Sequence, residues 1–127
     1  MQQSNLSTKW EGGGKTVTIN VSVVTFEEDN IQYSFIPSFD LIGYGKTGSE
    51  AEASLKIVLD EFLRYTINKN TLTLELKRLG WKIKSKHKPM MAPQLSDLVN
   101  TNDQLKDIFN NKPFSTSNYE VKLPAFA

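Results

Sequence analysis

The chain has 127 residues, no cysteine and a single histidine. Without thiols there are no disulfides, no cysteine-based zinc sites and no thiol nucleophile, and the composition fits a reducing compartment. One imidazole is too few for a histidine-built metal centre, and no cofactor or metal site is expected. Long hydrophobic runs are also missing. The most apolar windows, near Val21 to Phe26 and Ile57 to Leu63, fall far short of the roughly 20 residues that a spanning helix needs. The polar start from Met1 to Trp10 has no basic residue leading into an apolar stretch, so no secretory signal is expected. The sequence therefore reads as soluble and cytoplasmic, with no membrane partner. Nor is there an excess of charge of one sign. Fifteen Lys and Arg stand against fourteen Asp and Glu, a net charge of +1, which gives no whole-molecule sign of a polyanion binder. The length suits one domain with a real core and is too short for a barrel enzyme or a complete dinucleotide-binding fold.

Three segments emerge along the chain: a flexible tail over 1–14, an α/β domain over 15–88 and a C-terminal extension over 89–127. The tail ends in Gly12-Gly13-Gly14. Val17, Ile19, Val21 and Val23 then alternate with Thr16, Thr18, Asn20 and Ser22, the period of a half-buried strand. A polar turn at Glu27-Glu28-Asp29-Asn30 leads into a second strand from Ile31 to Ile36, giving an antiparallel hairpin that closes at Pro37. Phe39 to Tyr44 is expected as a third strand. The strongest pattern is a helix opened by Thr47 and Glu50. Thr47 is placed to accept from the Glu50 N–H, and Glu50 to reach back to the Thr47 N–H. Ala51, Leu55, Val58, Leu59, Phe62 and Thr66 follow at helical spacing, and the helix is expected to stop between Thr66 and Asn68.

Thr71 to Lys77 alternates like a strand, yet Leu72, Leu76 and Leu79 share a helical stripe and Gly80 sits where a C-cap belongs. The helix is the favoured reading. Trp81 to Lys88 is expected as a strand, and Pro89 to Pro93 as a linker. Leu95, Leu98 and Val99 suggest one helical stretch. Leu105, Ile108 and Phe109 suggest another, capped by Asn102 or Thr101. Tyr119 to Leu123 alternates as a final strand. The fold class is α+β: a small antiparallel sheet with one long helix packed on it, then short C-terminal helices and a last strand.

Several motifs touch on chemistry. Gly43-Tyr44-Gly45-Lys46-Thr47-Gly48 matches the G-x-G-x-x-G fingerprint between a strand and a helix. The strand before it belongs to an antiparallel meander and no second half of such a fold follows, so a glycine-rich strand-to-helix turn is the better reading. Gly45-Lys46-Thr47 matches only the tail of a phosphate-binding loop. The first glycine that loop needs is Asp40 here and no apolar run ending in Asp offers a magnesium partner, so the match is accidental. The carboxylate pairs Glu50/Glu52 and Asp60/Glu61 sit at helix spacings that do not converge on one atom. His87 stands among lysines with no triad partners in sight. No catalytic residue is assigned.

The sharpest charge feature holds six cations and no acid: Lys77, Arg78, Lys82, Lys84, Lys86 and Lys88. Lysines at alternate strand positions lie about 6–7 Å apart, comparable to phosphate spacing along a nucleic-acid strand, and Trp81 beside them offers a base-stacking ring. A solvated edge strand that keeps other chains from pairing explains the same pattern.

The run Tyr33-Ser34-Phe35-Ile36-Pro37-Ser38-Phe39-Asp40, the glycines, and Gly45-Lys46-Thr47-Gly48-Ser49-Glu50-Ala51 together resemble the HicB-like antitoxin family over residues 15–67. The positions that carry the likeness are Pro37, Gly43, Gly45, Thr47, Glu50 and Ala51. The resemblance implies a small antiparallel sheet with one helix, a non-enzymatic role, and binding of a small toxin-like protein partner. Many members add a C-terminal DNA-binding module, but residues 89–127 show neither a ribbon-helix-helix nor a helix-turn-helix pattern. Leu76 to Ile83 also looks like the helix-Gly-aromatic-strand segment of the partner toxins, with Lys86-His87-Lys88 where those have Gly-Ser-His. The expected function is a homodimeric partner-binding domain, with RNA binding through Lys77 to Lys88 as the alternative.

Overall fold

Asp29 and Asn30 both adopt positive φ, at 53° and 65°, the conformation that a two-residue hairpin turn demands and that Asp and Asn tolerate best. They join β2 (Thr16–Glu28) to β3 (Ile31–Ile36) in a register that pairs Phe26 with Tyr33 and Val24 with Phe35. In the computed structural model, residues 4–6, 16–83 and 90–124 are described. After the hairpin come β4 (Leu41–Gly45), α1 (Gly48–Asn68), α2 (Leu72–Arg78), β5 (Lys82–Ile83), β6 (Met90–Met91), α3 (Leu95–Thr101), α4 (Asp103–Asn111) and β7 (Phe114–Pro124). β1 (Ser4–Leu6) precedes them all. The main sheet has the order β1-β7-β2-β3-β4, antiparallel among its last four strands, with β1 parallel to β7.

The fold is α+β, with the long helix packed on the sheet, short C-terminal helices and a final strand. That strand is longer than Tyr119 to Leu123. β7 pairs with β2 from Thr16↔Pro124 to Phe26↔Phe114 and lies inside the sheet. The period-2 signal reveals only its second half, because Phe114 to Asn118 carries four polar residues on a largely exposed stretch.

Both faces of the sheet are covered. On one, Val21, Val23, Ile36, Tyr119, Val121 and Leu123 pack with Leu55, Leu59 and Leu63 of α1, Leu72 and Leu76 of α2, and Trp81. On the other, Val24, Phe26 and Phe35 meet Leu105 and Ile108 of α4, with Leu95, Leu98 and Val99 of α3 alongside. The strict alternation of β2 assigned core only to the odd positions. Val24 and Phe26 are buried because the C-terminal helices return over the opposite face.

Several local expectations change. Phe39 is not in a strand: residues 37–40 form a turn, with Phe39 N–H donating to the Ile36 carbonyl and Asp40 N–H to that of Pro37, and β4 begins at Leu41. Met90-Met91 is not a linker, since it pairs with Lys82-Ile83 and buries Met90. Of the expected strand from Trp81 to Lys88, only Lys82–Ile83 is seen as strand; residues 84–89 lie outside the described residues. In the segment expected as a tail, Ser4–Leu6 is a strand. The segment from Leu72 to Arg78 is a helix, as its leucine stripe indicates.

Candidate functional site

Of the positions that carry the family likeness, Gly43, Gly45, Thr47, Glu50 and Ala51 gather where β4 meets α1. Pro37 lies in the turn before β4, and each has a local packing or capping role. A Cβ at Gly43 would stand 2.3 Å from the Leu55 backbone nitrogen, and one at Gly45 would stand 2.4 Å from the Glu50 Cβ. Thr47 caps α1, its Oγ1 accepting from Glu50 N–H at 3.1 Å. The Glu50 carboxylate turns back as expected but accepts from Lys46 N–H at 2.9 Å, one residue before the expected Thr47. Ala51 is buried beneath the first turn, and Pro37 is buried in the turn between β3 and β4. Gly43 and Gly45 of the G-x-G-x-x-G match thus admit the helix against a strand, whereas Gly48 has open space around it. β4 is also shielded at its outer edge, where Tyr44 N–H donates to Ser54 Oγ of α1 at 3.2 Å.

The carboxylates serve structure as well. Glu50 closes the cap, and Glu52 accepts a 2.5 Å hydrogen bond from the buried Tyr119 hydroxyl. Burial, and then the Glu52 carboxylate, push the Tyr119 phenol above its ordinary value, so it stays protonated. Among the described residues no group of His, Asp and Glu is placed to hold a metal ion, and no helix is long and apolar enough to cross a membrane.

The basic segment is split by the fold. Trp81 does not present a ring for stacking. It is 3% exposed, its Nε1–H donates to the Ser38 carbonyl at 2.7 Å, and its ring lies 5.1 Å from that of Phe39. Burial of this indole corrects the expectation that it contacts nucleic acid: the large apolar ring fills the space between α2 and the residue 37–40 turn. Lys77, Arg78 and Lys82 are exposed, and Lys84, Lys86 and Lys88 lie outside the described residues, as does His87. Arg78 is paired to Glu75, with Nη2 at 2.7 Å and Nε at 2.9 Å from Oε1.

Arg78 and Lys82 instead line an open groove of about 460 Å³, bounded by the end of α2, by the β5–β6 ladder and by α3. The two-stranded ladder sorts its residues by face. Ile83 and Met90, paired across it, turn to the core, while their neighbours Lys82 and Met91 turn into the groove. Met91 is 44% exposed, and Leu79, Ala92, Pro93 and Leu98 complete an apolar floor. Asp97 and Thr101 of α3 form the far wall. Lys82 has no ion pair among the described residues. The sequence points to Arg78 and Lys82 but misses Met91 and Leu98. The available signal is a methionine pair between two prolines, of which one member must face in and the other out if the segment is a strand.

A second feature is legible only from register. Phe114, Phe26, Tyr33 and Tyr44 are direct cross-strand neighbours, forming an aromatic row across β7, β2, β3 and β4. Phe26 stacks on Tyr33 at 4.9 Å between ring centroids, and Tyr33 lies 6.4 Å from Tyr44. α4 covers the middle of the row, and Phe109 stacks on Phe114 at 4.5 Å.

Comparison with known protein families, with curated proteins and with solved structures finds no match to this chain.

Proposed function

We propose that this chain is a non-enzymatic protein-interaction domain resembling the HicB-like antitoxins, acting in the cytoplasm as a homodimer and binding a small protein partner through the α2/β5–β6/α3 groove. The observation that carries this reading is the groove itself: an open, apolar-floored surface with an exposed methionine and unburied cations at its rim. Apolar area of that kind, bordered by charge, is typical of surfaces that bury against another chain. The seam of Gly43, Gly45, Thr47, Glu50 and Ala51 supports the likeness at the level of residues, because each has the turn, contact or capping role that the motif implies.

The test is native co-purification with crosslinking, followed by the same experiment with Met91→Asp. A single small protein captured in stoichiometric amount, and lost with Met91→Asp, is the expected result; sedimentation then gives the stoichiometry of the complex. Recovery of the chain alone, or capture unaffected by Met91→Asp, overturns the reading.

RNA binding is the alternative, favoured by the exposed Lys77 and Lys82 and weakened by the burial of Trp81. Filter binding at low salt separates the two readings. RNA retention that falls steeply with salt and with Lys77→Ala and Lys82→Ala supports it. Retention unmoved by those changes ends it.

A further inference from the structure

Resting on the reading of the groove as a partner-binding surface, we infer that its occupant is an acidic, leucine-rich peptide segment of the partner, whose apolar side chains lie on Met91 and Leu98 while its carboxylates meet Lys82 and Arg78. Three observations lead to this chemistry. The floor is made of Leu79, Met91, Ala92, Pro93 and Leu98, with no aromatic ring, and so favours aliphatic side chains over bases or sugars. Lys82 lies across the ladder from Met91, so one cation and one flexible apolar chain reach the same stretch of groove from neighbouring strands. Its ammonium is without an acidic partner among the described residues, and a carboxylate arriving there gains a pair without breaking one.

Arg78 adds a second cation already held in a fixed orientation by Glu75. A guanidinium paired through Nε and one Nη keeps further N–H donors for an incoming carboxylate. The opposite wall carries a single acid, Asp97, on α3. It sets a polarity across the groove: carboxylates of the occupant belong on the α2/β5 side, and neutral or basic positions on the α3 side. A cationic segment meets Arg78 and Lys82 head-on and is rejected, which gives specificity as well as attraction.

Fluorescence polarisation of the full chain with designed probe peptides tests this. The probes are a short alternating Glu/Leu peptide, its Gln/Leu and Lys/Leu counterparts, a Glu/Ser peptide and a single-stranded oligonucleotide. The Glu/Leu peptide is expected to bind most tightly, to weaken about tenfold between roughly 50 and 500 mM salt, and to weaken at least about tenfold with Lys82→Glu. Because Lys82 is exposed, an unchanged thermal melt shows that Lys82→Glu still folds; Met91→Ser, also exposed, tests the apolar half independently.

Equal binding of Gln/Leu and Glu/Leu overturns the charge assignment while leaving the groove as an apolar docking surface. Equal binding of Glu/Ser and Glu/Leu overturns the apolar assignment. An oligonucleotide that binds more tightly than Glu/Leu and is lost with Lys82→Glu overturns the peptide in favour of nucleic acid. Failure of every probe while a native partner is captured through Met91 rejects the acidic peptide alone; failure of both rejects the groove.

Discussion

Gly43 lies directly under Leu55: a Cβ added at Gly43 would come within 2.3 Å of the Leu55 backbone nitrogen and 2.7 Å of the Ala51 carbonyl oxygen. These are backbone atoms of α1 and cannot swing aside. The constraint is steric contact, since Gly43 has no left-handed φ to accommodate. Gly43→Ala is therefore expected to lift the first turns of α1 off β4 and to cost about 1–3 kcal/mol in urea unfolding. Gly48 provides the contrast, because nothing lies within 4 Å of its added Cβ. Gly48→Ala is expected to leave stability unchanged or raise it by up to about 1 kcal/mol. Equal effects of the two substitutions would contradict the close contact of helix and strand.

Trp81 and Ser38 yield a second prediction. The indole N–H satisfies the Ser38 carbonyl, yet the Ser38 hydroxyl is buried and, among the described residues, has no hydrogen-bond partner. Trp81→Phe leaves that carbonyl unpaired and opens space beside Phe39, and is expected to cost about 2–4 kcal/mol. Ser38→Ala removes an unpaired hydroxyl and is expected to be neutral or stabilising by about 1 kcal/mol. Thermal melts of both variants check this pair of opposite signs. A destabilised Ser38→Ala would mean that the hydroxyl has a role in the folded protein.

Local chemistry made much of the fold legible. Asp29-Asn30, the Thr47 cap, the Asn102 cap whose Oδ1 accepts from Leu105 N–H, and the stop of α1 at Asn68 are all decided by residues within a few positions of one another. The buried line of α1 was nearly right: Ala51, Leu55, Leu59, Leu63 and Thr66 are buried, whereas Val58 and Phe62 flank them half-buried. Spacing alone cannot choose between adjacent lines of one wide apolar stripe, because the neighbouring strand decides which line it touches. Long-range partners were invisible for the same reason. Nothing near Met90 announces that Ile83 is its partner, and nothing near Trp81 announces the Ser38 carbonyl 43 positions away. The site followed suit: the cations Arg78 and Lys82 are evident in sequence, but the apolar groove beside them depends on where α3 returns.

Lys112 ties the end of α4 to the hairpin, its Nζ lying 2.6 Å from Asp107 Oδ2 and 3.2 Å from Glu28 Oε1. The Lys112 and Asn111 side chains hold the Asp107 carboxyl below its ordinary value. The sign follows from linkage: a depressed carboxylate contributes stability above its unfolded value of 3.8, and that contribution is lost as pH falls through the lower folded value. Lys112→Met is expected to lower the urea midpoint modestly at neutral pH, less so in high salt, and to flatten the acid limb of the stability curve. A variant with the same midpoint and the same acid limb as the parent would show that the bridge contributes nothing.

Tyr119 provides the alkaline counterpart. Its hydroxyl donates to Glu52 from a buried position in β7, and burial followed by that carboxylate raises its pKa above the ordinary value of 10.0. In the unfolded chain the phenol loses its proton near that ordinary value, whereas in the folded chain it keeps it. Stability from the raised group is fully present below 10.0 and declines as pH rises from there through the folded value, because only the unfolded state is stabilised by ionisation over that window. Tyr119→Phe is expected to cost about 1 kcal/mol at neutral pH, through loss of a hydrogen bond from a buried tyrosine to a charged group that is itself partly exposed. Its deficit relative to the parent should then shrink as pH passes 10.0. Glu52→Gln keeps the ring and removes the charge, so it should make the parent's alkaline decline shallower. Urea midpoints of the three proteins across the alkaline range decide the matter, and parallel curves for parent and Tyr119→Phe would show that the phenol titrates alike in both states.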